Sequence, residues 1–452
     1  MINSIFRLLF LFLPALSWGQ QATSNPYSYY GLGEMAKTGG PILGALGNAS
    51  VAYADSTFVN HKDPSSYSRL AQGYPLFSIG FNDDYSIYNQ NNLEYRANNA
   101  AIDHFILAIP FAKRYGLAFG LTPYSGRGYD FSDGERVGTD SLIHEYSGAG
   151  NISRVFVGFS SFIVNKENLK WSVGANGGYL FGSVMNQRIS GIGDSTISEG
   201  GIGIYSERLK SFNFDVSTSI DYSLNENHSF HLAGAYEPSM NWKATFTDEL
   251  YYAFDVEDPS GFQPKIFNAY DGAVVSPSSM SAGITYRLAF DRITKKNREY
   301  RSRLDFVLDY QSIAYSEMRS QYTNEGGQQI NDAMFFSDYQ HSSFGIQYRP
   351  NTKYYSNAGK TPFFSILTYR LGSYYDILPQ TLDGNEYSQF GTTFGFGIPL
   401  VANRSNSSIN FGFNYGVRSG TSTLKQTIYG FNLGIILSPS NADKWFRKIK
   451  LD

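Results

Sequence analysis

Residues 211–222 read SFNFDVSTSIDY. Phe212, Phe214, Val216, Ile220 and Tyr222 alternate with Ser211, Asn213, Asp215, Ser217, Ser219 and Asp221. Successive side chains of a strand point to opposite faces, so this stretch is a strand with one apolar and one polar face. The same period recurs in SMSAGITYRLAF (279–290), RLDFVLDYQ (303–311) and SINFGFNYGVR (408–418). In WSVGANGGYLFG (171–182) and QFGTTFGFGI (389–398), glycine takes many positions on the polar face.

A soluble sandwich also has one wet face, so alternation alone leaves two architectures open. Composition separates them. The chain holds 35 Tyr, 35 Phe and 45 Gly, with 16% aromatic and only 17% charged residues, where a globular domain carries about 25% charged. Strands that face lipid need an apolar band with aromatic girdles, whereas a soluble sheet has little use for Phe or Tyr at nearly every apolar position. The expected fold is all-β, a transmembrane antiparallel β-barrel of about 14 strands. Their centres fall near residues 81, 106, 122, 155, 179, 215, 236, 285, 309, 346, 368, 392, 413 and 433. Short connections at 112–115, 164–170 and 224–227 alternate with long stretches at 188–207, 247–278 and 315–341, expected to be loops. Short turns at one end and long connections at the other are the asymmetry of an outer-membrane barrel. An even strand number then puts both termini on the periplasmic side.

The first residues agree on the compartment. MINSIFRLLFLFLPALSWGQ has Arg7, the apolar run LLFLFLPAL and small residues at Ser17 and Gly19, which reads as a signal peptide over 1–19. The absence of Cys excludes disulfides, thiol catalysis and Cys-ligated metals. A net charge of −3 argues against a nucleic-acid partner.

Lys or Arg facing lipid at mid-membrane costs about 2–4 kcal/mol in a barrel. All mid-strand charges are therefore expected on the small-residue face. Asp215, His231, Glu237, Arg287, Asp305, Asp309, Arg349 and Arg418 fall there and are expected to line the lumen.

One region escapes the pattern. GNASVAYADSTFVNHKDPSSYSRL (47–70) has neither a helical stripe nor alternation. Together with YSGAGNISRVFVGF (146–159), SVGANGGYLFGS (172–183), the closing strand TIYGFNLGIILS (427–438) and the tail ADKWFRKIKLD (442–452), it makes the chain resemble the FadL-like outer-membrane transport proteins, in the branch found in Bacteroidota. The resemblance implies an N-terminal hatch inside the lumen, marked by an Asn-Pro-Ala turn. Here Asp63-Pro64-Ser65 takes that place, with Asn60 upstream and Tyr67 downstream. Asp makes the same side-chain turn as Asn but cannot donate a hydrogen bond. A plain turn before the first strand is the other reading. The implied organisation is signal peptide 1–19, extension and hatch 20–73, barrel 74–438 and amphipathic periplasmic tail 439–452. The family also passes apolar molecules sideways at a kinked strand. Gly148, Gly150 and Asn151 are candidates for that kink, or glycines that fit against the hatch.

No metal-ligand spacing, nucleophile elbow or phosphate loop is present, and neither cofactor nor enzyme activity is expected. A Ser-His-Asp site assembled only by folding stays open. The acidic stretch DELYYAFDVEDPSG (248–261) reads as a solvated outer loop in preference to a divalent-cation site, and the tail as an interfacial anchor or else a docking peptide for a periplasmic partner. Expected partners are outer-membrane lipids and lipopolysaccharide, with two candidate functions. One is passive transport of a hydrophobic or amphipathic small molecule through a hatch-gated lumen. The other is an accessory subunit of an outer-membrane secretion or assembly complex, as PorV-like relatives imply.

Overall fold

The computed structural model describes residues 25–438 apart from 37–38, 73–74, 92, 138–139, 193–198, 254–263, 294–298, 334–335, 353–361, 383–384, 401–405 and 421–423. The signal-peptide and tail assignments, with the acidic residues after Ala253, lie outside the described residues.

Fourteen strands close an antiparallel barrel. They are β1 (Leu76–Gln90), β2 (Leu93–Phe111), β3 (Tyr115–Gly126, continued as Tyr129–Val137), β4 (Asp140–Asn165), β5 (Leu169–Ile192) and β6 (Glu199–Ser223). Then come β7 (His228–Glu237, Asn241–Ala253), β8 (Pro264–Val275, Ser279–Ile293), β9 (Glu299–Ile313, Arg319–Thr323) and β10 (Gln329–Ala333, Tyr339–Arg349). The last are β11 (Thr368–Leu382), β12 (Asn385–Pro399), β13 (Ser408–Gly420) and β14 (Lys425–Leu437), which pairs with β1 from Leu437↔Phe77 to Lys425↔Asn89. Every expected strand centre falls inside one of them.

The long connections do not behave as expected. Much of 188–207 and 247–278, and parts of 315–341, continue the wall strands as paired ribbon; Ser190 pairs with Gly201, and Thr247 with Ala269. β4, β5 and β6 run 26, 24 and 25 residues, where a tilted spanning strand needs about 9–11. Once a hairpin leaves the membrane, lipid no longer demands an apolar outer face, while inward positions such as Ile202, Phe246 and Val274 stay buried. Alternation then stops reporting strand, although backbone pairing continues.

Outward-facing Phe212, Phe214, Tyr222, Leu308, Phe394 and Phe413 are exposed along the wall, as lipid contact requires. Gln389 and Arg418, on the opposite face, are at most 2% exposed. The expected rule is broken at Asp83 and, by strand parity, at Lys210 of β6, which shares the outer face with Phe212. Asp83 of β1 lies outward, between Phe431 of β14 and Ala100 of β2, one rung below the tyrosine row Tyr85, Tyr429 and Tyr415. A carboxylate close to the interfacial row costs less than a Lys or Arg at the midplane.

The core lies inside the barrel. Ile42, Leu43, Leu46, Tyr53, Phe58, Val59, Tyr67 and Leu70 pack against the inward side chains Leu76, Ile106, Phe156, Val307 and Ile436. Each fully buried Leu or Phe contributes about 1.5–3 kcal/mol. Inward glycines leave room for this segment: a Cβ on Gly116 would come within 2.2 Å of the Tyr67 carbonyl, and one on Gly372 within 2.3 Å of the Gly47 nitrogen. The glycines that interrupt the polar face are therefore seats for a second layer of chain.

Candidate functional site

Inside the barrel, polar groups of residues 39–70 meet the inward side chains of many wall strands. Asp309 on β9 is the centre of this contact. Its Oδ1 accepts from the Ser50 amide at 3.0 Å and the Ser50 hydroxyl at 2.6 Å, and its Oδ2 from the Val51 and Ala52 amides at 3.0 and 2.8 Å. Three successive backbone N–H groups thus converge on one carboxylate, a compact anion nest. Thr285 donates to the Ala52 carbonyl at 2.5 Å, Arg287 to that of Ala54 at 2.6 Å, and the Gly47 amide to Thr393 at 3.0 Å.

Ion pairs reinforce the contact. Asp55 meets Arg349 at 2.7 Å and Arg303 at 3.2 Å, while Arg303 also holds Asp305 at 2.7 Å. Burial alone would raise the Asp55 carboxyl; Arg349, Arg303 and Arg287 outweigh it and hold it far below the usual carboxylate range. Arg69 pairs with Asp221 at 2.5 Å, and His231 with the same carboxylate at 2.8 Å. Burial, then His104, Lys62 and Arg154, push the His61 imidazole well below its ordinary value, so it is neutral at pH 7.

At the turn, Asp63 caps a six-residue 3-10 helix, Pro64–Arg69, with Pro64 in its first turn. Its Oδ1 accepts from the Ser65 amide and hydroxyl and from Ser217 on β6. Asp63 Oδ2 is buried without a partner among the described residues. Asn60 donates to the Ser50 and Tyr53 carbonyls at 2.7 and 3.2 Å, tying the two arms of the segment together. The Tyr67 hydroxyl donates to Asn176 at 2.9 Å, and Asn176 donates to the His61 carbonyl and to Asp215.

The eight lumen charges named from sequence are all buried or half-buried, with partners inside. Asp215 pairs with Arg154, Glu237 accepts from Asn213, and Arg418 pairs with Glu34 at 2.9 Å beneath the Tyr27 ring. Arg154, Asp221 and Arg303 complete these networks, Asp221 from the polar face of 211–222. Each follows the same face parity, Arg154 sharing its side of β4 with Phe156 and Gly158, so alternation alone could have found them.

Gly148, Gly150 and Asn151 belong to a continuous strand, β4. The interruption lies in its neighbour: β3 breaks between Gly126 and Tyr129, whose rungs on β4 are Asn151 and Gly148. Gly150 of β4, on the rung of Val184, and Gly182 of β5, on the rung of Ile152, have φ of +114° and +141°, and a side chain there would strike the Ser183 or Asn151 carbonyl at 2.2 or 2.1 Å. Below the break, Phe105–Phe111 of β2 ladder with Tyr115–Leu121 of β3. Above it, β2 and β3 share no rung among the described residues. An N-terminal strap over Asn25–Ala36 fills the lower part of this seam. Glu34 and Met35 pair with Gly126 and Ser125, the Asn25 amide donates to the Gly128 carbonyl at 2.7 Å, and Arg127 donates to the Ser28 and Gly31 carbonyls.

Ser78, His104 and Asp103 form a hydroxyl–imidazole–carboxylate chain, with 2.7 Å from Ser78 Oγ to His104 Nε2 and 2.5 Å from His104 Nδ1 to Asp103. The order is that of a hydrolase triad. All three are at most 4% exposed, and the rungs of Ser78 are Ile106 and Ile436, which leaves no approach to the hydroxyl. The chain acts as a polar floor under Gly40, whose Cβ position is 2.9 Å from the His104 ring.

A cavity of about 260 Å³ remains between the inner segment, the strap and the wall. Leu43, Met35, Tyr315 and Tyr339 line part of it; Arg154, Asp215, Glu237, His341, Asp376 and Arg418 line the rest. No cluster suited to a metal ion occurs among the described residues.

The BamG family profile matches residues 1–452. No curated protein matches the chain. Among solved structures, the fold is shared with the CymD monoaromatic hydrocarbon channel (16% identity, 91% of this chain and 99% of that one, TM-score 0.54). It is also shared with the Pseudomonas putida toluene transporter TodX (14%, 90% and 99%, TM-score 0.55) and a Pseudomonas aeruginosa FadL homologue (11%, 90% and 99%, TM-score 0.57). The architecture is thus that of a FadL-like outer-membrane barrel.

Proposed function

Because this chain belongs to the BamG family over its full length, we propose that it serves the outer membrane as a sealed barrel, an accessory subunit of a larger secretion or assembly complex. The observation that carries this reading is the lumen itself. Residues 39–70 act as a hatch, held by the Asp309 nest and the Asp55 ion pairs. The remaining cavity is bordered by the Arg154–Asp215, Arg418–Glu34 and His341–Asp376 pairs. An apolar passenger entering there gives up hydrocarbon surroundings for a lining of charged and polar side chains, and gains little. Both termini lie at the short-turn, periplasmic end, and the aromatic outer face contacts lipid and lipopolysaccharide. Extraction in mild detergent followed by native mass spectrometry tests the reading: a stoichiometric complex is expected, and a lone barrel carrying lipid would sink it.

A second reading has its own support. The shared fold with hydrocarbon channels and the 260 Å³ cavity fit hatch-gated passage of an amphipathic small molecule. Deletion of residues 40–70 should then convert a closed barrel into a conducting one in planar bilayers, and unchanged conductance would show that the segment is not a plug.

A further inference from the structure

Two features of the outer wall meet where β5, β6 and β7 leave the apolar band. The first is a boundary. On β6 the outward positions from Phe212 to Tyr222 are apolar apart from Thr218, whose hydroxyl donates to the Ser172 carbonyl and accepts from Trp171. That length of tilted strand covers about 25 Å along the membrane normal, the height of a barrel's apolar band. Lys210, the next outward position, therefore stands at the rim of the hydrocarbon layer, at the end away from the short turn at 224–227.

The second is a cluster of positive charge. Lys210 and Lys243 each lie one residue to the membrane side of the rung Leu209↔Ala244, and Arg208 follows on the same face farther out. All three are exposed, and none has a hydrogen-bond or ion-pair partner among the described residues. Like charges side by side on neighbouring strands repel, and an anion held between them removes the repulsion. The outward carboxylate on the Arg208 row, Asp271, stands two strands away, about 9–10 Å, and accepts from Thr245 at 3.1 Å. Arg208 is flanked by Ser183 and Thr245, whose small side chains leave the guanidinium uncovered. Toward the membrane, Phe181 shares the Lys210 rung, and Phe212 packs on Tyr179 with ring centroids 5.1 Å apart.

We propose that Arg208, Lys210 and Lys243 form a binding site for the lipid A phosphates of lipopolysaccharide, with the acyl chains laid on Phe181, Phe212 and Tyr179. The Arg fork takes a phosphate in bidentate fashion, and the two ammonium groups act as point charges beside it. A phosphate subsite at the rim with aromatic rings directly below it matches the order of groups in a lipid and not in a free anion. The site rests on the orientation given above, with the short turns in the periplasm, and holds for either candidate function.

The full chain, purified in mild detergent, is titrated with lipid A, with dephosphorylated lipid A and with inorganic phosphate, and bound lipid is read by native mass spectrometry. Lipid A should form a one-to-one adduct that dephosphorylation abolishes and that inorganic phosphate at the same concentration does not displace. Arg208→Gln, Lys210→Gln or Lys243→Gln should each weaken binding about fivefold, and all three together about a hundredfold. Lys425→Gln, an outward lysine flanked by Asn89 and Ser419 on β1 and β13, should change nothing, and heat-modifiable migration checks that each variant is folded. Equal binding of the dephosphorylated lipid, displacement by inorganic phosphate, or unaltered affinity in the triple variant would overturn the proposal. Orientation is read separately with Gln328→Cys, in the turn between β9 and β10, which a membrane-impermeant maleimide should label on intact cells. Labelling only after the outer membrane is opened would overturn the orientation and the site with it, whereas labelling on intact cells with failed lipid binding removes the site alone.

Discussion

The two sides of the lumen hold the N-terminal segment in opposite ways. On the β8–β10 side, side chains do the holding: Asp309 takes three amides and a hydroxyl, and Arg303, Arg349 and Arg287 surround Asp55. On the β2–β3 side, the ladder between the two strands stops at Phe105↔Leu121 among the described residues, and the strap joins the β3 edge beyond it by a two-residue strand pair and a few main-chain bonds. Side-chain anchoring keeps a separate piece of chain in place without altering the wall. Main-chain anchoring makes that piece part of the wall, and it is found beyond the point where the β2–β3 ladder stops.

Substitutions can break this contrast in order of effect. Asp309→Ala leaves three buried amides without an acceptor, each costing about 1–3 kcal/mol. A loss of roughly 3–9 kcal/mol is expected, read as early protease cleavage between residues 40 and 70 with the barrel still folded. An unchanged digestion pattern would show that the nest is incidental. Asp55→Ala removes the shared partner of two half-buried guanidinium groups and should cost about 2 kcal/mol.

The same contact predicts a pH dependence. The Asp55 pKa is lowered on folding, so its contribution is complete above the unfolded value of about 3.9. It is lost as pH falls below that toward the folded value. Release of the segment should therefore begin in acid below about pH 4 in the wild type, and this transition should be absent in Asp55→Asn. On the seam side, Arg127→Ala should cost about 1–2 kcal/mol and raise labelling of a cysteine placed at Ser28, with little effect on cleavage within 40–70. Equal effects on both regions would mean that the two anchors are one unit. The smallest effect is expected from Asp63→Asn. It replaces the unpartnered Oδ2 with an amide nitrogen and keeps the acceptor for Ser65 and Ser217, so stability should move by less than about 1 kcal/mol.

Alternation made the barrel legible because lipid and lumen impose opposite demands on adjacent residues. Ser211–Tyr222 and Ser408–Arg418 could hardly be anything else, and the inward parity of Asp215, Asp309 and Arg418 followed from the same rule. The rule failed where one of its premises did. In the extensions of β4–β8 lipid no longer demands an apolar outer face, and stretches expected to be loops are paired strand. At Asp83 the outer face carries a charge, which a rule of alternation has no means to place. Gly148 and Asn151 stand on the rungs of Tyr129 and Gly126, so they flank the break in β3 from the neighbouring strand, a relation that cross-strand pairing creates and sequence order does not display.

Sequence by itself determined the class of fold, the number of strands and the face of nearly every charge, since a repeated solvent environment writes a repeated pattern. Only the tertiary structure decided which charges meet. The convergence of Ser50, Val51 and Ala52 on Asp309, and the pairing of Glu34 and Met35 with Gly126 and Ser125 of β3, join residues far apart in the chain. Such pairings depend on the register and closure of the whole barrel, which no local pattern encodes.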